Sequence, residues 1–130
     1  MAPRCGMLQS VLALPILLML VSGPVRADGD PALGKVQFAQ CSSCHSISAD
    51  EADHVGPNLF RVYGKAAATN RPGFAYSDVL KHSGLTWNDE TLDSWLKKPM
   101  AKVPGTKMAF LGIANDEIRQ NIIAYLKTER

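Results

Sequence analysis

Apolar residues are distributed along this chain in two different ways. From Leu8 to Val21 they run almost without a break, whereas beyond Asp28 they recur three or four positions apart on a polar background, the spacing of helices with one buried face. Asp30 offers an N-cap and Pro31 a first-turn residue whose missing N–H costs nothing there, and Leu33, Val36 and Phe38 give this first helix apolar weight to about Gln40. Ser77 can cap a short helical segment that Gly84 ends. Asn88, Asp89 and Glu90 open another helix, with Leu92, Trp95 and Leu96 on its apolar face and Lys97, Lys98 and Pro99 at its close. The last helix begins near Asn115 with acids in its first turn, and Ile118, Ile122, Ile123, Tyr125 and Leu126 fall mostly on one side.

Between these segments the pattern breaks. From Ser46 to Gly73 the chain reads as loop, with turns marked by Gly56-Pro57-Asn58 and Asn70-Arg71-Pro72-Gly73. Met100 to Gly112, containing Pro104-Gly105, is expected to be irregular as well. No alternating run is long enough for a paired strand, and there is no internal repeat. The expectation is an all-α domain with long loops. Two structureless stretches in so small a domain are unusual. A large flat apolar ligand would account for them, because loops can wrap it and it supplies core that a short chain lacks.

The unbroken apolar run carries a different message. It follows Arg4, spans about 14 residues against the roughly 20 needed to cross a bilayer, is interrupted by Pro15, and leads to the small-residue pattern Val25-Arg26-Ala27. Residues 1–27 are therefore expected to be a secretory signal peptide, cleaved after Ala27, with residues 28–130 as the mature domain; a retained membrane anchor is the alternative. Cleavage changes the charge. Arg4 and Arg26 leave with the leader, so the 14 Lys and Arg of the whole chain fall to the same number as its 12 Asp and Glu. The basic balance, which in the whole chain points toward nucleic acid or acidic membranes, dissolves.

Cys5 leaves too, so the exported domain keeps only Cys41 and Cys44. They stand in Cys41-Ser42-Ser43-Cys44-His45, a C-x-x-C-H pattern whose spacing suits covalent attachment of haem. Each thiol can add across one porphyrin vinyl group, and cysteines three apart lie on one side of a helical turn. The adjacent His45 can then point an imidazole nitrogen at the iron. A thioredoxin-like pair would need a βαβ context and a nucleophilic cysteine at a helix start, but this pair closes a helix. A zinc site would need further ligands at ordinary spacing, and only His54 and His82 remain. A disulfide closing so short a loop would stabilise little. Met100, Met108, His54 and His82 are the candidates for the iron's other axial position. An unpaired methionine more often fills an apolar gap, but a six-coordinate electron-transfer haem favours a soft neutral ligand.

Further pieces carry a family resemblance: Gly34 and Phe38 before the CSSCH motif, then GPNL at 56–59, PGFAYS at 72–77, LTW at 85–87, PGTKM at 104–108 and IAYLK at 123–127. Over essentially all of residues 28–130 the chain resembles the class I cytochromes c, the small monohaem proteins of mitochondria and the bacterial periplasm. The resemblance implies a small cytochrome c fold of three to five helices around one haem c attached through Cys41 and Cys44. His45 and Met108 are implied as the iron ligands, with the Pro57 carbonyl receiving the free ring N–H of His45. Tyr76, Trp87, Thr106 and Lys107 are implied as lining the cofactor or its pocket wall. For Tyr76, Trp87 and Tyr125 ordinary core packing is an equally good reading. Gly34 and Phe38 are expected to cross the last helix near Ile122 and Tyr125.

The chain also departs from the family pattern. Lys65 stands where an arginine often neighbours a haem propionate, Leu80 replaces a pocket asparagine, Trp95 replaces a pocket tyrosine, and one extra residue lies between Gly64 and Pro72. Around the haem edge Lys35, Lys102 and Lys107 persist, but Gln40, Met100, Ala114 and Asn115 occupy positions where mitochondrial members carry lysines. A docking face less dependent on charge is therefore expected. The overall expectation is an exported, monomeric electron carrier, not an enzyme, working in the bacterial periplasm between redox proteins such as respiratory complexes or a periplasmic dehydrogenase or oxidase. It should have no nucleic-acid partner and no stable membrane insertion once the leader is removed. The rival is a haem enzyme or gas-binding protein, peroxidase-like, in which the sixth iron position is open or labile.

Overall fold

The computed structural model describes Met1 and residues 28–130; the expected leader, apart from Met1, lies outside the described residues. Among the described residues five α-helices follow in order: α1 Pro31–Gln37, continued by a 3-10 turn at Phe38–Gln40, then α2 Asp78–Lys81, α3 Asp89–Lys97, α4 Pro99–Lys102 and α5 Asp116–Thr128. Among the described residues the only β pairing is one isolated antiparallel bridge, Ala66 with Thr86. The all-α expectation holds.

The helix starts are built from local chemistry. The Asp30 carboxylate accepts from the N–H groups of Ala32 at 2.7 Å and Leu33 at 3.3 Å, meeting two donors that a helix start leaves free. Asn88 and Thr91 form a reciprocal box: the Asn88 side chain accepts from Thr91 N–H at 2.9 Å and Thr91 Oγ1 accepts from Asn88 N–H at 3.0 Å. Asn115 caps α5 by accepting from Ile118 N–H at 3.1 Å. Ser77 occupies the N-cap position of α2, but its side chain makes no capping bond, and its buried hydroxyl finds no protein partner.

One expected loop is shorter than its composition suggests. Pro99 ends α3, yet it also serves as the first residue of α4, so part of the Met100–Gly112 stretch is helical. Proline has no N–H to lose at a first helical turn, so the residue that stops one helix can start the next.

The frame is the crossing of α1 and α5. Gly34 is the point of closest approach: a Cβ there would lie 1.9 Å from the Asn121 carbonyl oxygen and 2.8 Å from Tyr125 Cβ. No side chain other than hydrogen permits that approach. Phe38 meets Tyr125 edge to face at 5.6 Å, and Asp30 N–H donates to Asn121 Oδ1 at 2.7 Å. The crossing thus lies at Asn121 and Tyr125, one residue from the expected Ile122. Ile122, Ile123 and Leu126 are almost fully buried here, each contributing roughly 1.5–3 kcal/mol. α3 packs beside α5 through Leu92 and Leu96, and Trp95 reaches Trp87 at 5.3 Å. Gly64 N–H to Trp87 O at 2.7 Å and Trp87 N–H to Lys65 O at 2.9 Å hold the long first loop against the segment before α3. The loop that follows the CSSCH turn closes back on it at Gly56 and Pro57, and residues 103–115 join α4 to α5.

Candidate functional site

The CSSCH residues form one tight turn at the end of the first helical segment. Cys44 and His45 N–H groups both donate to the Cys41 carbonyl, at 3.0 and 2.9 Å, which stacks the cysteines on one side of the turn and turns His45 inward. Both thiols are free and half-buried. Burial, with the neighbouring Cys44 adding to it, pushes the Cys41 thiol up to about 11, so it is a protonated thiol in the bare polypeptide.

His45 is buried, and its Nδ1 lies 2.7 Å from the Pro57 carbonyl oxygen. A carbonyl only accepts, so Nδ1 carries the proton and donates it, leaving Nε2 with a free lone pair. Burial lowers the His45 pKa, with the Pro57 bond opposing, which keeps the ring neutral. Gly56 presses its backbone on the ring: a Cβ there would stand 2.4 Å from Cε1. Gly56 N–H in turn donates to the Cys44 carbonyl at 2.8 Å, closing the loop onto the CSSCH turn.

Pro57 is itself held by Asn58, only 1% exposed. Its amide donates to the Ser48 and Glu51 carbonyls, both at 2.8 Å, while its Oδ1 accepts from Phe60 N–H at 2.8 Å. Asp53 accepts from Asn58 N–H at 2.7 Å and from Arg71 Nε at 2.8 Å.

The remaining expected residues separate by burial. Met108 is half-buried and packs on the core, whereas Met100 is 49% exposed. His54 and His82 are exposed, and His82 Nδ1 pairs with the carbonyl of Asp78 at 2.8 Å. Trp87 and Thr106 are buried and Tyr76 is half-buried, stacked edge to face on Phe74 at 5.0 Å. Burial raises the Tyr76 pKa, and a hydrogen bond from the Arg71 backbone opposes it. Lys107 is exposed, its ammonium donating to the Ala75 carbonyl at 3.3 Å.

These donors suit haem c. Two reduced thiols share one turn, one imidazole nitrogen is committed to protein while the other is free, and the Met108 thioether is half-buried on the core in the loop before α5. The orphaned hydroxyl of Ser77 is what a polar substituent of a bound ring can satisfy. Among the described residues no cluster of three His, Cys, Asp or Glu side chains offers a bare metal ion an alternative site.

Two residues escaped sequence reasoning. Ser77 reads as a cap, and its burial follows from tertiary packing alone. Arg119 is a charged residue inside the apolar face of α5, with only 2% of its side chain exposed. Its main partner, Asp93, lies 26 residues away, so nothing local announces the pair.

Comparison with known proteins accords with this geometry. A family model described as cytochrome c matches residues 31–129. Cytochrome c2 of Rhodomicrobium vannielii is 46% identical over 108 residues, covering 83% of this chain and 86% of that protein. Cytochrome c2 of Blastochloris viridis is 39% identical over 116 residues, covering 89% of this chain and 91% of that one. Among solved structures, cytochrome cH from Methylobacterium extorquens superposes with a TM-score of 0.73 at 49% identity, covering 77% of this chain and 99% of that one.

Proposed function

The chain belongs to the cytochrome c family, as a class I monohaem member with one haem c covalently attached through Cys41 and Cys44, and from that premise we propose that it is an exported carrier of single electrons with His45 and Met108 as the axial iron ligands. The haem supplies a ferric/ferrous couple that changes by one electron without breaking bonds. The polypeptide's part is to hold, shield and tune it.

The observation that carries this reading is the hydrogen bond between His45 Nδ1 and Pro57 O at 2.7 Å. It fixes the tautomer, leaves Nε2 for iron, and makes the imidazole a stronger donor. Met108 supports the reading by its burial beside the core, where a thioether favours the ferrous state. With His45 and Met108 both committed to the iron, no substrate would reach it, and the bound haem would exchange electrons only with partners docked at the protein surface. Trp87, Tyr76, Thr106 and Lys107 would line the haem pocket, and Leu80 and Trp95, both buried, would make it more apolar than a pocket with asparagine and tyrosine at those positions.

We take residues 1–27 as a leader removed on export to the periplasm and residues 28–130 as the working domain. No helix among the described residues is long and apolar enough to cross a membrane. The partners are redox proteins that dock at the haem edge. Gln40, Met100, Ala114 and Asn115 are all exposed, and Leu111 is 96% exposed, which supports a docking face with fewer cations and more apolar surface. Electron-transfer rates with the partner should then fall only weakly with ionic strength; a steep fall would refute this part of the reading.

The ligand assignment is tested by the ferric near-infrared spectrum. Wild type should show the weak methionine–iron band and bind carbon monoxide poorly when reduced, and Met108→Ala should lose the band and lower the potential. A Met108→Ala protein with unchanged spectrum and potential would remove Met108 from the iron.

A further inference from the structure

The segment from α4 to Ala114 leaves the end of α3, carries Met108 near its middle, and returns to the start of α5. Its returning limb is pinned at the base. Ile113 N–H donates to the Leu96 carbonyl at 2.9 Å, and Gly112 lies so close to α3 that a Cβ would stand 2.1 Å from the Lys97 oxygen. The third element of this base is Arg119. Its Nε donates to Asp93 Oδ1 at 2.9 Å and its Nη2 to Asp93 Oδ2 at 3.4 Å. Nη1 donates to the carbonyls of Ile113 at 2.8 Å and Ala114 at 2.9 Å, and Nη2 also bonds Asp116. Gln120 Nε2 supports the same Asp93 oxygen at 3.0 Å.

All five guanidinium N–H donors are thereby used, and they join three parts: α3, the first turn of α5, and the last two carbonyls of the loop. Farther out, the loop is held differently. Val103, Thr106 and Phe110 N–H groups bond only to carbonyls two to four residues back, and the one side-chain tether is the exposed Lys107 ammonium on Ala75 O. A buried cation is costly unless every donor is met, so this arrangement is a rigid node rather than an adjustable surface pair. The loop's return path is therefore set at Arg119.

We propose that Arg119 is a positioning residue for the sixth-ligand side of the pocket: a latch, seated on Asp93, that sets how readily the Met108 loop swings away from the core. The inference rests on the reading of Met108 as ligand. Its structural core, that Arg119 governs loop opening, is separable and is tested separately below.

Arg119→Lys keeps the charge but offers three donors on one nitrogen in place of five spread over a planar fork, so it cannot span Asp93, Asp116 and both loop carbonyls at once. The probe is free imidazole added to the ferric holoprotein, which binds only when the methionine side opens. Its affinity should rise about tenfold or more in Arg119→Lys, as expected for losing charge-assisted hydrogen bonds from the closed state alone. Asp93→Asn, the gentler variant should Arg119→Lys fold poorly, should show a smaller rise in the same direction. Lys127→Ala, which breaks the other ion pair between α5 and α3, at Asp89, should leave imidazole affinity at the wild-type value. Hydrogen exchange provides the second readout: amides of residues 108–111 should exchange faster in Arg119→Lys and Asp93→Asn, while α1 and α5 core amides keep their ranking.

A merely structural clamp would lower the urea midpoint without selective acceleration of the loop amides and without tighter imidazole binding; that result overturns the proposal. Absence of the methionine–iron band in wild type would overturn the Met108 reading instead, and the loop amides would still decide the latch.

Discussion

Replacing Gly34 by alanine asks whether the α1–α5 crossing is as close as its geometry implies. Gly34 lies inside α1, where helix propensity alone favours alanine over glycine by about 0.8–1 kcal/mol. If the position were open, the variant would be more stable. The structure says otherwise, because the new methyl would stand 1.9 Å from the Asn121 carbonyl oxygen, where carbon and oxygen normally approach no closer than about 3.3 Å. The helices must part by more than an ångström at the crossing, loosening Phe38 against Tyr125 and the seat of Ile122. Overpacking of this kind costs typically 1–3 kcal/mol, and a contact this short lies at the upper end of that range, so a net loss near 2 kcal/mol is expected once the propensity gain of about 1 kcal/mol is subtracted. For a domain of this size that is a fall in Tm of about 8–16 °C. Urea unfolding of the haem-loaded protein, followed by far-ultraviolet circular dichroism, measures it. Gly29→Ala is the matched comparison. Its Cβ would meet the Gln120 oxygen at 2.1 Å, but Gly29 lies ahead of α1 and its backbone can peel away, so its loss should stay below about 1 kcal/mol. Equal losses, or a Gly34→Ala protein as stable as wild type, would refute the reasoning.

Other expectations follow from particular residues. Ala68 sits at φ 62°, in the left-handed region, so Ala68→Gly should raise stability by about 1 kcal/mol, read as a higher urea midpoint. Burial holds the Tyr76 and Tyr125 phenols above their usual value, with Glu129 adding to the effect at Tyr125. Both therefore contribute stability that is whole below about pH 10 and lost as pH rises through the raised values. The Lys127 ammonium, raised by Asp89, is lost over the same range, so the urea midpoint should be level from pH 7 to 9 and fall steeply above pH 10, less so in Tyr125→Phe. A Cys41→Ala, Cys44→Ala protein lacking haem should show little helical circular dichroism, because the loops then have nothing to wrap; native helicity there would contradict this.

What could be read directly from the sequence was local. The caps at Asp30, Asn88 and Asn115 act within three residues of themselves, so composition announces them and the structure reproduces them. The CSSCH motif is local too, its chemistry contained in one turn. Pro99 misleads because a helix stop and a helix first turn demand the same property, a missing N–H. Arg119 and Ser77 were illegible for a different reason: their significance depends on partners or burial supplied by distant segments, and a charge in α5 or a serine before α2 looks ordinary until packing encloses it. Between Met100 and Met108 spacing alone admits both; the PGTKM resemblance favours Met108, and of the two it is Met108 that is half-buried on the core.

The central claim is that this polypeptide is shaped around a haem gripped covalently by one of its own turns. Intact-mass spectrometry of the exported protein, recorded after denaturation, tests it most directly. The expected mass is that of the exported chain plus a single haem, retained through unfolding and abolished when Cys41 and Cys44 are both alanine. A bare polypeptide mass from wild-type material would contradict it.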